Sequence, residues 1–209
     1  MGIAREGAPA ICAVGLLALF SALWGWYLMF LIFAAAALST ALFFRDPRRI
    51  PPAGPGSIVS AADGRVIDIS EKRLTPYEEP FVCVGVFMSL FDVHVNRSPV
   101  EAEVIALEHS PGQFRAAFRD QASEHNERNL VVMRDKNGRL FAVMQIAGYF
   151  ARRIVCRVKP RQWVNKGERI GLIMFGSRVD HYVPRDYAIT VRVGDRVRAG
   201  ETVIGELRK

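Results

Sequence analysis

An uncharged apolar run near the N-terminus constrains this chain more than any other feature. Between Glu6 and Arg45 there is no Asp, Glu, Lys or Arg, and Leu, Ala, Phe, Ile, Trp and Met dominate. Such a run is typical of helix embedded in a membrane. One straight helix over residues 9–44 would be about 50 Å long, whereas a bilayer's hydrocarbon core is about 30 Å thick. We therefore expect a bend or a helical hairpin in this segment.

The tetrapeptide Trp24-Gly25-Trp26-Tyr27 is the expected position of the bend. Gly weakens a helix, and Trp and Tyr favour the membrane interface. We expect the segment to be retained, because it is much longer than the apolar region of about 7–15 residues in a cleaved signal peptide. Three arginines follow it directly and predict a cytoplasmic location for the rest of the chain: Arg45, Arg48 and Arg49.

The rest of the chain reads as a linker and one domain. Residues 46–56 are rich in Pro and Gly, so we expect a membrane anchor over 1–45, a linker over 46–56 and a folded domain over 57–209. From residue 45 onward 27 basic residues face 20 acidic ones, a balance that favours an anionic lipid or substrate. No nucleic-acid-binding motif accompanies it. The cysteine spacing predicts neither a disulfide framework nor a metal site.

The domain is predicted to be mostly β. Segments rich in Val, Ile and Phe, separated by turn residues, predict strands over 64–69, 81–88, 100–108, 130–134, 140–148 and 188–193, with one weak helix over 113–127. A short repeat runs from Val164 to Gly171 and again from Val197 to Gly205, and each copy predicts a tight turn that leads into a strand. Such turns are similar to the hairpins of lipoyl-type barrel-sandwich domains.

The dipeptide Gly176-Ser177 ends an apolar strand and places a hydroxyl beside an unhindered peptide bond. The Ser177 Oγ can attack the Gly176 carbonyl, because Gly lacks a side chain and tolerates strained backbone angles. Elimination of the resulting ester and hydrolysis would leave a pyruvoyl group, which can form a Schiff base with an amine and act as an electron sink for decarboxylation. Taken alone, however, Gly-Ser is a common turn dipeptide.

Five longer stretches carry a resemblance to a known family. They are Ala62-Asp63-Gly64-Arg65-Val66, Phe87-Met88-Ser89-Leu90-Phe91-Asp92-Val93-His94-Val95-Asn96-Arg97-Ser98-Pro99, Asn126-Glu127-Arg128-Asn129, Gln145-Ile146-Ala147-Gly148 and Ile173-Met174-Phe175-Gly176-Ser177-Arg178-Val179-Asp180. With them the chain resembles the short, single-domain form of the phosphatidylserine decarboxylase proenzyme family over essentially its whole length.

The resemblance implies self-cleavage between Gly176 and Ser177, giving chains 1–176 and 177–209 that stay together as a heterodimer. The small chain would begin with the pyruvoyl cofactor made from Ser177, and the enzyme would convert phosphatidylserine into phosphatidylethanolamine and CO₂ at the membrane. It also implies that Asp63 and His94 act with Ser177 in processing, His94 as the base and Asp63 as the group that orients it. Longer members carry a second histidine where this chain has Arg97, so His94 serves processing, decarboxylation or both.

Other residues have weaker signals. Five arginines are candidates for binding the substrate's phosphate or carboxylate, with Arg97, Arg128 and Arg178 favoured over Arg152 and Arg153. His109, His125 and His181 are expected to be surface or turn residues, although His181 lies only four residues after Ser177. Two alternatives remain at this point: a non-enzymatic membrane adaptor with a lipoyl-like domain, and a pyruvoyl decarboxylase of a soluble amino acid.

Overall fold

Two apolar helices dominate the first of two units in the computed structural model, which describes residues 2–54, 56–74, 77–112, 126–148, 153–174 and 177–208. This unit covers Met1–Arg48, and its helices are α1 (Ala8–Leu23) and α2 (Tyr27–Phe43), preceded by a short 3-10 turn. The chain reverses at Gly25, whose φ of +76° suits glycine, within the predicted tetrapeptide. Strands β1 (Gly2–Ile3) and β2 (Arg45–Asp46) pair antiparallel, so the ends of the unit meet and the helices form a hairpin.

The helical hairpin is apolar on its outside. The helix Arg5–Leu23, with a mean hydropathy of 1.8, is long and apolar enough to cross a membrane, while α2 is as apolar but spans only 17 residues. Leu23, Tyr27 and Leu28 are each more than two-thirds exposed. Helices that are apolar on all sides need a protein core or a bilayer around them, and only 17% of the most apolar window of Arg5–Leu23 is buried.

The second unit, Arg49–Lys209, is built from β-strands. The strands are β3 (Ser57–Val59), β4 (Gly64–Leu74), β5 (Tyr77–Met88), β6 (Val95–Arg97), β7 (Ala102–Ser110), β8 (Arg128–Arg134), β9 (Leu140–Ala147), β10 (Ile154–Cys156), β11 (Trp163–Val164), β12 (Arg169–Ile173), β13 (Ser177–Pro184), β14 (Tyr187–Ile189), β15 (Arg196–Val197) and β16 (Val203–Leu207).

The strands form one large sheet and two small ones. The large sheet is curled, and its eight strands follow the order β11-β7-β8-β9-β13-β5-β4-β15 with antiparallel neighbours. The two small sheets have the orders β10-β12-β6 and β14-β16-β3. The predicted fold class, mostly β with an N-terminal helical segment, is therefore confirmed.

Most predicted strands lie where the sequence placed them, and one ends early. The first five predicted segments each overlap a single strand, β4, β5, β7, β8 and β9. The sixth was wrong beyond Ile189, because Arg192 and Asp195 close a turn through hydrogen bonds in both directions. The helix predicted over 113–127 lies mostly outside the described residues.

The predicted repeat is present as two matching turns. β11 leads through a turn at Gly167 into β12, and β15 leads through a turn at Gly200 into β16. The two glycines have φ values of +80° and +74°, the left-handed region that side chains disfavour. A Cβ on Gly200 would also lie 3.1 Å from the Arg97 side chain. A Cβ on Gly167 would clash with the Pro51 side chain. Glycine is therefore needed at both positions for conformation and for space.

Strand β13 lies at the centre of the large sheet, between β9 and β5, and its side chains alternate between the two faces. Val179 and Val183 belong to the main core, together with Val84 and Val143. Tyr182 instead belongs to a second apolar cluster on the opposite face. Ser177 and His181 share the main-core face with Val179, whereas Arg178 and Asp180 share the other face with Tyr182.

Candidate active site

Ser177 is the first residue of β13 and is fully buried. Its backbone pairs with Met88 on one side and with Ala147 on the other, so two strands hold it in register. The Ser177 Oγ donates to the Met88 Sδ at 3.4 Å. A thioether is a weak acceptor, so within the described part of the chain this buried hydroxyl has no strong partner. Gly176 itself lies outside the described residues.

A chain of buried amides leads to the same sulfur atom. Asn96 Nδ2 donates to Met88 Sδ at 3.7 Å, and Gln145 Nε2 donates to Asn96 Oδ1 at 2.8 Å. Asn129 Nδ2 then donates to Gln145 Oε1 at 2.9 Å. All three amides are buried. Amides in such surroundings are costly unless they are satisfied, so this relay fixes the side chains behind Ser177.

His94 lies just before β6 and is buried. Its Nδ1 is 3.0 Å from the Asp92 carbonyl oxygen. In the neutral ring this contact places the proton on Nδ1 and the basic lone pair on Nε2. The His94 carbonyl accepts a hydrogen bond from the Ile173 N–H at 3.3 Å, which brings the His94 backbone to the end of β12, four residues before Ser177.

Asp63 lies in the turn before β4, and both of its carboxylate oxygens are held. Oδ2 forms an ion pair with Arg49 at 2.7 Å, and Oδ1 accepts the Ala199 N–H at 2.8 Å. Burial raises the pKa of the Asp63 carboxyl above its ordinary value, while the Ala199 N–H and the Arg49 guanidinium act in the opposite direction. Asp63 is thus a fixed, partly desolvated carboxylate.

Arg49 makes contacts that its position in the sequence did not indicate. The sequence grouped it with Arg45 and Arg48 as a basic residue that follows the membrane segment. Its side chain is only 9% exposed and contacts Glu201 as well as Asp63. Two carboxylates therefore neutralise the Arg49 charge, and Arg45 and Arg48 remain as the basic pair that follows the apolar helices.

Arg178 is buried on the face of β13 opposite Ser177. Its Nε lies 2.5 Å from Asp180 Oδ1 and its Nη2 lies 3.3 Å from Asp68 Oδ2. Lys72 Nζ contacts both carboxylates at 3.4 Å. Burial opposes the charge on Arg178, but Asp180, with Asp68 adding to it, raises the pKa of the guanidinium above its ordinary value. The four side chains form a charge cluster (Arg178, Asp180, Asp68 and Lys72), in which Arg178 and Asp180 are buried and Asp68 and Lys72 are half-buried.

The other two arginines favoured for substrate binding lie apart from each other. The strand alternation of β8 puts Arg128 on the same face as Leu130 and Val132, which belong to the second apolar cluster and not to the core around Ser177. Arg97 is buried, and its Nη1 donates to the Gly167 carbonyl at 2.9 Å. Of the three, only Arg97 therefore lies beside the repeat turns, near Gly200.

His181 is the histidine that the sequence misjudged. It was expected at the surface, but it is 1% exposed on the Ser177 face of β13. The Ala61 N–H donates to Nε2 at 2.7 Å, so Nδ1 carries the proton and donates to the Val84 carbonyl at 2.8 Å. Burial lowers the pKa of His181 below its ordinary value. His181 thus ties β13 to the segment that carries Asp63.

The remaining histidine predictions differ in outcome. His109 is exposed on β7 as expected, and its Nε2 lies 3.1 Å from Glu127. His125 lies outside the described residues, as does Arg152. Within the described part of the chain, no group of three or more His, Cys, Asp or Glu side chains is placed to hold a metal ion.

The members of the amide relay lie in stretches that carry the family resemblance, but the sequence did not single them out as functional residues. Asn96, Asn129 and Gln145 each lie in a stretch that carried the family resemblance, and each interrupts or borders an apolar strand. An uncharged amide inside a strand of Val, Ile and Met is the local signal that indicates a buried polar contact. Its partner cannot be read locally, because the three residues come from three different strands.

Comparisons with known proteins give matches over most of the chain. A family model described as phosphatidylserine decarboxylase matches residues 37–205. A phosphatidylserine decarboxylase proenzyme from Desulfotalea psychrophila is 42% identical over 206 residues, covering 98% of this chain and 96% of the relative. A protein of the same name from Syntrophus aciditrophicus is 44% identical, with 97% and 96% covered. Another from Mycolicibacterium gilvum is 47% identical over 178 residues, with 83% and 76% covered.

Proposed function

The chain belongs to the phosphatidylserine decarboxylase proenzyme family and is an enzyme, and on this premise we propose that it cleaves itself between Gly176 and Ser177. The new terminus at residue 177 would carry the pyruvoyl cofactor. The mature enzyme would then convert phosphatidylserine into phosphatidylethanolamine and CO₂. Family membership removes the non-enzymatic adaptor from consideration.

One observation supports this proposal above the others: the environment of the Ser177 hydroxyl. A fully buried hydroxyl normally donates to a strong acceptor, whereas among the residues that the structure describes this one donates to a thioether. Its backbone is paired with strands on both sides, so it holds one position. A desolvated and positioned hydroxyl next to a glycine carbonyl suits intramolecular attack.

The cleavage can be written with its atoms balanced. Ser177 Oγ loses its proton and attacks the Gly176 carbonyl carbon, and the C–N bond breaks to give an ester and a free amine. Loss of the α-proton of residue 177 then breaks the Cβ–O bond, which releases Gly176 as a carboxylate and leaves a dehydroalanine. One water is consumed and one ammonia is released when this residue becomes the pyruvoyl group.

Three side chains are assigned roles in these steps. His94 accepts the Ser177 proton, since its Nδ1 contact with the Asp92 carbonyl leaves Nε2 as the basic nitrogen. Asp63, fixed by Arg49 and the Ala199 N–H, is proposed to stabilise the positive charge that the ring gains when it takes this proton. The amide relay keeps Met88 and hence the serine in place. Gly176 supplies the carbonyl group.

The pyruvoyl group, when present, supplies a carbonyl that binds the substrate amine and withdraws electrons as CO₂ leaves. The site fits such a group, because residue 177 is buried at the start of a central strand. Arg97, beside the repeat turns, is proposed to favour the anionic substrate. Arg128 and Arg178 face the other side of the sheet, so we do not assign them to the substrate.

The helical hairpin is proposed to hold the enzyme at the cell membrane with the β unit on the cytoplasmic side. A lipid substrate is concentrated at the bilayer surface, and basic residues near an anionic surface contribute about 1 kcal/mol each to binding. Arg45 and Arg48, which follow α2, supply this charge. The two cleaved chains are proposed to remain associated, since β13 pairs with β5 and β9 of the large chain.

The test is the intact mass of the denatured full-length protein beside two variants. Wild type should yield a 1–176 fragment and a pyruvoyl-blocked 177–209 fragment, whereas Ser177→Ala should remain a single chain. Ser98→Ala removes an equally buried hydroxyl that donates to the Val100 carbonyl, and it should still be cleaved.

Substrate class is tested on the cleaved protein. CO₂ release should occur with phosphatidylserine in detergent micelles and not with free serine at the same concentration. A wild-type chain that stays whole would refute the self-cleavage proposal. Release of CO₂ from free serine at a similar rate would point instead to a decarboxylase of a soluble amino acid.

A further inference from the structure

We propose that Arg49 is a positioning residue for self-cleavage, because its guanidinium holds the Asp63 carboxylate in one orientation and ties it to Glu201. This inference rests on the function proposed above. It adds Arg49 to the residues proposed to act in self-cleavage, although the sequence indicated only that Arg49 follows the membrane segment. It also makes the segment that follows the helical hairpin part of the processing machinery.

The contact geometry supports this role. Arg49 Nη2 lies 2.7 Å from Asp63 Oδ2, and Nη1 lies 2.8 Å from Glu201 Oε2. The guanidinium thus uses one nitrogen for each carboxylate, an arrangement that its planar fork permits and that a single ammonium group reproduces poorly. The Ala199 N–H holds the other Asp63 oxygen at 2.8 Å. With both oxygens held, the carboxylate plane is fixed.

These contacts connect both products of the proposed cleavage. Arg49 and Asp63 would belong to the large chain, whereas Ala199 and Glu201 would belong to the small chain that begins at Ser177. The Arg198–Glu201 turn is itself closed by a backbone hydrogen bond at 3.1 Å. The junction therefore holds Asp63 in the intact chain and continues to hold it after the backbone is cut.

The charges around Asp63 predict what removing Arg49 does. Burial raises the pKa of Asp63, and Asp92 adds to this rise, while the Ala199 N–H and Arg49 lower it. Glu201 faces the same guanidinium, and the Arg97 side chain lies beside Gly200, close to Arg49. Without Arg49, the Asp63 carboxyl takes up a proton at a higher pH. A protonated Asp63 no longer favours a charged His94.

The experiment follows cleavage of newly made full-length chain in a cell-free reaction with detergent micelles, from pH 5 to 8. Arg49→Gln should slow cleavage at least about tenfold near neutral pH and move the acid limb of the profile upward by on the order of one pH unit. Arg49→Lys should show a cleavage rate and an acid limb between those of wild type and Arg49→Gln. Arg48→Gln removes the neighbouring exposed arginine and should match wild type.

Glu201→Gln gives a second, milder perturbation, since Arg49 keeps Asp63 and loses only its other partner. It should move the acid limb less than Arg49→Gln does and in the opposite direction, because the full Arg49 charge then acts on Asp63 and lowers its pKa. It also keeps the proposal testable if Arg49→Gln does not fold.

Two results would overturn the proposal. One is a wild-type pH profile in Arg49→Gln. The other is a fall in the cleavage rate of Arg49→Gln that is equal at every pH, because loss of folded protein alone lowers the rate at every pH by the same factor. If Arg49→Gln does not fold, the same result in both Arg49→Lys and Glu201→Gln would overturn the proposal. A wild-type chain that never cleaves would instead refute the proposed function.

Discussion

The charge cluster around Arg178, on the face of β13 opposite Ser177, predicts a large loss of stability when its buried carboxylate is removed. Asp180→Asn keeps the size of the side chain but removes the anion that lies 2.5 Å from Arg178 and 3.4 Å from Lys72. Breaking a buried pair by removing one partner costs about 3–5 kcal/mol, because a desolvated charge is left behind. Asp68 stays 3.3 Å from Arg178 and is 26% exposed, so we expect the lower end, about 3 kcal/mol.

The assay is urea unfolding of the full-length protein in detergent, followed by far-ultraviolet circular dichroism. A Ser177→Ala background keeps every variant a single chain. Asp186→Asn is the matched control, because it removes a carboxylate that lies 2.7 Å from Arg139 but is 45% exposed. Such a surface pair contributes about 0–1 kcal/mol. Equal losses of unfolding free energy in the two variants would refute the reasoning, since burial would then not decide the cost.

Three further predictions concern the relay, the buried histidine and the hairpin. Gln145→Leu removes a hydrogen-bond partner from Asn96 and from Asn129. It should lower the free energy of unfolding by about 1–3 kcal/mol for each amide left without that partner, as measured by urea unfolding. A loss below about 0.5 kcal/mol would contradict this prediction. Because burial depresses the folded pKa of His181, its stabilising contribution is complete above the ordinary histidine pKa of 6.5 and is lost as pH falls below that value. The free energy of unfolding of wild type should therefore fall by up to about 1.4 kcal/mol per pH unit below that value, whereas that of His181→Gln should not. Urea unfolding midpoints at pH 7.5 and 5.5 measure this difference, and an equal pH dependence of both proteins would refute the prediction. Deletion of residues 1–44 should lower activity on vesicles more than on detergent-dispersed phosphatidylserine, and an equal loss on both would argue against the anchor.

Features that depend on neighbouring residues were predictable from the sequence. The break at Gly25 follows from a glycine between aromatic residues in an apolar run, and the turns at Gly167 and Gly200 follow from a repeated pattern. The strands β4, β5, β7, β8 and β9 follow from Val, Ile and Phe between turn residues. The Gly176-Ser177 dipeptide and the stretches around it indicated the family. Each of these patterns depends on contacts a few positions apart, which a sequence displays directly.

Tertiary structure alone decided which distant residues meet and which face of the sheet they occupy. Arg49 and Glu201 are separated by 152 positions, yet they share one ion pair and make Arg49 a partner of Asp63 instead of a membrane-flanking charge. His181 is buried because its strand, β13, lies between β9 and β5 inside the large sheet. Arg178 lies on the face opposite Ser177 because side chains alternate along a strand. Pairing between distant strands sets burial and neighbours, and no local pattern specifies that pairing. The sequence by itself therefore indicated the family and the chemistry proposed at Ser177, whereas only the fold shows which side chains lie around it.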